Sequence, residues 1–119
     1  MIVDAWLNAV RNIVYGDSVD APSHIALGTG TTAPAAGDTT LETESIRVAI
    51  DSRTKPADKR VRLQGTLSAD QGNGVSYTEN GALNAASGGT LMNRQTHTAI
   101  SKTSAYELRI QIDTEMSDV

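Results

Sequence analysis

Gly28 and Gly30 stand two residues apart, directly after the apolar run Ile25-Ala-Leu27, and Ala33 follows three residues later. That spacing outlines the turn of a dinucleotide site, where small residues let backbone amides close on a pyrophosphate. The chemistry needs a helix that starts inside the motif, so that its first amides and its dipole meet the phosphate. Here the motif runs into Thr31-Thr-Ala-Pro-Ala-Ala-Gly-Asp38. Pro34 could open a helix, but Gly37 would end it almost at once. No Gly-Lys-Ser or Gly-Lys-Thr is present, as a P-loop requires. The stretch therefore reads as a turn, with Gly28 and Gly30 expected at positive φ where a strand ends. Asp38-Thr-Thr-Leu41 is expected to cap a short turn anchored by Leu41. Glu42 and Glu44 precede Arg47, so an acidic–basic pairing near this turn is expected too.

Other chemistry-bearing residues are scattered. His24 and His97 lie in different strand candidates, without the third ligand or the spacing of a zinc site. Glu42, Glu44, Asp70 and Glu79 could serve as acid and base, but no spacing places two of them together as a glycosidase needs. There is no Gly-x-Ser-x-Gly elbow. Asp17, Asp20, Asp38, Asp70 and Asn73 offer loop oxygens for calcium, yet the EF-hand spacing is absent. We expect no catalytic, cofactor-binding or metal-binding residue, and no enzymatic activity.

The elements that would position these residues change character early. Ile2, Val3, Trp6, Leu7, Val10, Ile13 and Val14 recur at spacings of three and four, which predicts a helix over 2–15. Gly16 stops it. Its apolar stripe suits core packing against a sheet or docking onto a partner subunit. From there the period is two. Residues 24–28, 45–51, 60–69 and 105–115 alternate as strands, with weaker candidates at 75–84 and 90–99. Gln71-Gly-Asn-Gly74 and Ser87-Gly-Gly89 read as tight turns between strands. One-face alternation without a βαβ rhythm predicts a mainly β fold. The expected architecture is an antiparallel β-sandwich over 24–115 with one N-terminal α-helix, a single domain over 1–119.

The chain has 119 residues, a formal net charge of −4 and no cysteine, so disulfides and thiolate zinc sites are excluded. The acidic balance argues against general nucleic-acid binding, which needs a basic surface. No stretch approaches the roughly 18 apolar residues of a membrane span, and the first residues lack the pattern of a secretory signal. The expectation is a soluble protein made in the cytoplasm. Phenylalanine is absent and aromatics make up 3%. A core with so few large rings leaves the fold marginal alone and favours oligomerisation. Arg47, Arg53, Lys55, Lys59, Arg60 and Arg62 form a basic middle segment, while the tail is acidic through Asp113, Glu115 and Asp118. These charges suit solvated strand faces or complementary contacts between neighbouring subunits. The interface candidates are those six residues together with Trp6, Thr29 and Thr31.

Taken in order, Val14-Tyr-Gly-Asp-Ser-Val-Asp-Ala-Pro22, Ser23–Glu44 and Arg47 are followed by Gln71–Gly74, Tyr77–Arg94 and Ala99–Ile112. This succession resembles a family of small structural proteins of tailed bacteriophages and prophages, described as tail-fibre-like or minor virion proteins. The matching segments are Gly28–Thr31, Thr40–Glu44, Glu79–Leu83, Gly88–Leu91 and Lys102–Thr103, which span most of the chain. Around Gly81-Ala82-Leu83 the chain departs from the family's pattern, in which an aromatic is expected. The resemblance implies a non-enzymatic subunit of the virion, made in the host cytoplasm. Its place would be the tail, baseplate or fibre, or the capsid as a decoration protein. Its partners would be other virion proteins and copies of itself, a trimer included, and neither nucleic acid nor membrane. The competing expectation is a carbohydrate-binding module for host attachment. That would need exposed rings to stack on sugars, from among Trp6, Tyr15, Tyr77 and Tyr106.

Overall fold

The computed structural model describes residues 1–117; Asp118, counted above with the acidic tail, lies outside them. The chain forms a helix α1 (Asp4–Tyr15) and six strands: β1 (His24–Gly28), β2 (Glu44–Thr54), β3 (Arg60–Leu67), β4 (Ser76–Leu83), β5 (Gln95–Ser101) and β6 (Leu108–Glu115). All neighbours are antiparallel, in the order β5-β4-β1-β2-β3-β6.

The sheet corrects the expected sandwich. There is one sheet, curled into a half-barrel, rather than two stacked layers. The cause lies in β2, which is 11 residues long. Its first half pairs with β1 and its second half with β3, and the register shifts between Ile50 and Ser52. A bulge bends the strand that carries it and increases the local twist. Two groups of strands that alternate like separate layers are thereby joined edge to edge.

Burial follows the strand period on β6, where Ile110, Ile112 and Thr114 are buried between exposed Arg109, Gln111, Asp113 and Glu115. The central strand β1 is covered on both faces. Ile25 and Leu27 join the larger apolar cluster with Val48, Leu63, Leu67, Tyr77 and Ile112. Ala26, pointing the other way, joins Val3, Leu41, Leu83 and Leu91. Leu41 is thus the anchor that its position suggested, 3% exposed. Where an aromatic was expected in β4, Ala82 and Leu83 fill the space; Gly81 has no room for more, since an added Cβ would lie 2.3 Å from the Asn93 carbonyl.

Helix α1 starts at Asp4, two residues later than the periodicity predicts, because Ile2 bridges Asn93 and the Val3 N–H donates to the Met92 carbonyl. Gly16 ends it in the left-handed region at φ 113°, its N–H shared between the Asn12 and Ile13 carbonyls. Only part of the apolar stripe is used. Trp6 and Ala9 enter the core, with the Trp6 indole N–H unpaired. Leu7, Val10, Ile13, Val14 and Tyr15 remain in solvent, Val14 and Tyr15 at 83% exposure.

Candidate functional site

The Gly28–Thr43 loop folds around a carboxylate, and the carboxylate is the chain's own. Strand β4 carries Glu79 opposite Gly28 on β1, so the two share a face of the sheet. Glu79 is 0% exposed. Its Oε2 accepts from the Gly30 N–H at 2.7 Å and the Thr43 N–H at 2.8 Å. Its Oε1 accepts from the Glu42 N–H at 2.9 Å and from Arg94 Nε at 2.8 Å. A concave set of backbone amides is a ready anion site, and here the anion is supplied internally.

Arg94, 2% exposed, carries the clamp outward. One terminal nitrogen donates to Asp38 Oδ2 at 3.1 Å and the other to the Thr32 carbonyl at 2.9 Å. Asp38 also accepts from the Ala35 N–H at 2.9 Å. Glu42 holds the outer turn, accepting from the Thr31 and Thr32 N–H groups at 2.9 and 3.3 Å. Thr78 donates its hydroxyl to the Gly30 carbonyl at 2.7 Å. The amides of residues 30–32 that could have met a phosphate are therefore occupied by Glu79 and Glu42.

The two glycines serve close approach rather than positive φ, which corrects the expectation for both. Neither falls in the left-handed region; a Cβ at Gly28 would lie 2.3 Å from the Thr43 carbonyl oxygen, and one at Gly30 would lie 2.4 Å from Glu79 Oε2. The left-handed glycines of the sheet connections are Gly72, Gly74, Gly88 and Gly89, in the two turns read from the sequence.

Burial by itself raises the Glu79 carboxyl, but Arg94 and the N–H groups of Thr43, Glu42 and Gly30 outweigh it and hold the group below its ordinary 4.5. The Ala35 N–H and Arg94 likewise depress Asp38, and Thr32 and Thr31 depress Glu42. A carboxylate lowered on folding contributes stability that is full above its unfolded value and is lost as pH falls through the folded one. Urea midpoints are thus expected to hold between about pH 7 and pH 5 and to drop steeply below about pH 4. In Glu79→Gln that acid drop should be shallower, because one of the depressed groups is gone. An acid limb of unchanged steepness would show that Glu79 is not part of the linkage.

The interface candidates meet different fates. Thr29 and Thr31 are exposed on the clamped loop, whereas Trp6 is 7% exposed. Arg47 is spent within the chain, bonded to Glu44 at 2.6 Å and to the Ala85 and Gly88 carbonyls at 2.9 Å. Arg62 forms a two-pronged pair with Asp113 at 2.8 and 3.0 Å, and Arg60 meets Glu115 at 3.3 Å. The basic middle and the acidic tail thus pair across β3 and β6. Arg53 and Lys55 are exposed at the far end of the β2–β3 hairpin, beside open hollows floored by Val61, Leu63 and Met116. Lys59, in the connecting loop, has φ 62°.

Sequence reasoning missed Arg94 and Lys102. Lys102 is 1% exposed; its ammonium donates to Asn73 Oδ1 at 2.8 Å and the Thr103 carbonyl at 2.9 Å, and lies 5.5 Å from the Tyr106 ring centre. It ties the 69–74 turn to the start of the β5–β6 connection. Glu79 did leave a signal, as the one carboxylate of β4, two residues ahead of Gly81-Ala-Leu83. Among the described residues no three His, Asp or Glu side chains converge to hold a metal, and no helix is long and apolar enough to cross a membrane. The chain matches no family model and no curated protein.

Proposed function

We propose that the chain is a non-enzymatic structural subunit of a tailed-phage virion, associated with the tail, baseplate or fibre or decorating the capsid, and acting through protein–protein contacts. The observation that carries this reading is the way polar chemistry is used. The buried ionic groups, Glu79, Arg94 and Lys102, are all consumed in holding loops and turns. What remains outward is contact surface: an apolar strip of Leu7, Val10 and Val14 on α1 and a rigid small-residue loop carrying Thr29 and Thr31. Exposed contiguous apolar surface marks sites of association. Repetition of one modest contact around a particle multiplies its strength through avidity. The resemblance to small virion proteins agrees with that use.

A sugar platform draws less support. Of the four aromatic rings, Trp6 and Tyr77 are in the core, leaving Tyr15 and Tyr106. The test is direct: particles purified from a lysate carrying the gene are separated into heads and tails and probed for this chain by quantitative mass spectrometry. Many copies per particle in one fraction are expected. Absence from purified particles would overturn the proposal, and a folded monomer that binds host glycans would replace it.

A further inference from the structure

Strand β6 ends the sheet, and its outer edge is built to pair. Its register with β3 runs unbroken from Arg60–Glu115 to Leu67–Leu108. Just beyond, the Met116 N–H donates to the Lys59 carbonyl at 2.7 Å. Backbone groups of an antiparallel strand turn alternately to one neighbour and the other. Residues 108, 110, 112 and 114 therefore turn their N–H and C=O groups to β3. Arg109, Gln111, Asp113 and Glu115 turn theirs to the open edge.

Exposed edges are normally blunted by proline, by charged side chains and lysine above all, by a bulge or by a covering element. Leu108–Glu115 holds no proline, glycine or lysine, and its pairing has no bulge. The opposite edge, β5, differs: its pairing is broken by a bulge between Tyr77 and Glu79, and it bears no acidic or basic residue apart from His97. The charges of β6 are polarised along its length, with Arg109 at the start and Asp113 and Glu115 at the end. Arg109, on the exposed face, has no carboxylate partner among the described residues.

We propose that β6 is a homodimer interface, in which a second copy adds its own β6 antiparallel across a two-fold axis near Gln111. The antiparallel sense sets Arg109 of each copy directly opposite Asp113 of the other, at both ends of the contact, while Glu115 falls opposite Glu107, the residue before the strand. A parallel pairing would set like charges side by side. Opposite charges across strands stabilise and like charges directly opposite destabilise. The Arg62–Asp113 pair then continues as a row of alternating charge into the second copy. The inference stands on the strand edge and does not depend on the virion reading.

Light scattering over a concentration series tests it. The native chain is expected to pass from monomer to dimer, with dissociation favoured by salt. Arg109→Glu should raise the dimer dissociation constant by at least about tenfold. Gln111→Pro should abolish the dimer, since the N–H it removes faces the open edge and not β3. Circular dichroism and thermal melting should stay as in the native chain. If Gln111→Pro does not fold, Arg109→Glu carries the test. A chain monomeric up to about 100 μM, a closed trimer, or a dimer unmoved by Arg109→Glu would each overturn the proposal.

Discussion

Glu79→Ala is expected to destabilise the folded chain by about 3–5 kcal/mol, the range for removing one partner of a buried ion pair. Total stabilities of such domains are only about 5–15 kcal/mol, so the variant should sit near the edge of folding. The loss is large because the carboxylate serves four donors at once: the N–H groups of Gly30, Glu42 and Thr43, and Arg94 Nε. Each would be left without its acceptor. Arg94→Met should cost less. Glu79 keeps its three amide donors, and Asp38, the other carboxylate that Arg94 holds, is 27% exposed and can turn to water. Urea denaturation of the three proteins decides the order. An Arg94→Met variant less stable than Glu79→Ala would mean that the guanidinium, rather than the amides, is the centre of the clamp.

Gly28→Ala should be the second severe change, at about 3 kcal/mol, the upper part of the range for overpacking a filled site. The new methyl would meet the Thr43 carbonyl oxygen at 2.3 Å and Glu79 Oε2 at 2.7 Å. The nearer atom is backbone and cannot swing aside. Gly37→Ala is the control from the same loop. Nothing lies within 4 Å of its added carbon and its φ is not left-handed, so it should be neutral or stabilising by up to about 1 kcal/mol. Equal losses at the two positions would show that the loop is intolerant for a reason other than the close approach of Thr43 and Glu79. Both effects are readable as shifts in the urea midpoint at pH 7, well above the range where the carboxylates titrate.

Local pattern carried the elements well. The helix stop at Gly16, the alternation of β3 and β6 and the two glycine turns depend on φ preference and on a period of two or 3.6. Those are properties of neighbouring residues, so they are legible in the chain. The expected pairing of Arg47 with Glu44 also needed only three residues of separation. The sandwich failed for the opposite reason. Alternation states that each strand has a wet face, but not whether the dry faces belong to one curled sheet or two stacked ones. The bulge at Asp51 in β2 decides that, and it exists only in relation to β1 and β3.

The same limit governs the site. The sequence by itself determined a β-rich chain with an N-terminal helix, and a small-residue loop between two strands that lacks the parts of a phosphate site. Only the tertiary structure decided what that loop encloses. Glu79 lies 49 residues from Gly30 and 15 from Arg94, and an ion pair across such distances leaves no periodic trace. It also decided how much of the helix stripe is core. Periodicity reports that Leu7, Val10 and Val14 share an apolar side, but whether a sheet reaches them depends on where α1 is held. Its first turn is tied by Val3 to Met92 and by Asp4 to the Ala36 carbonyl. Those two anchors turn Trp6 and Ala9 inward beside buried Val3 and leave Leu7, Val10, Ile13 and Val14 in water.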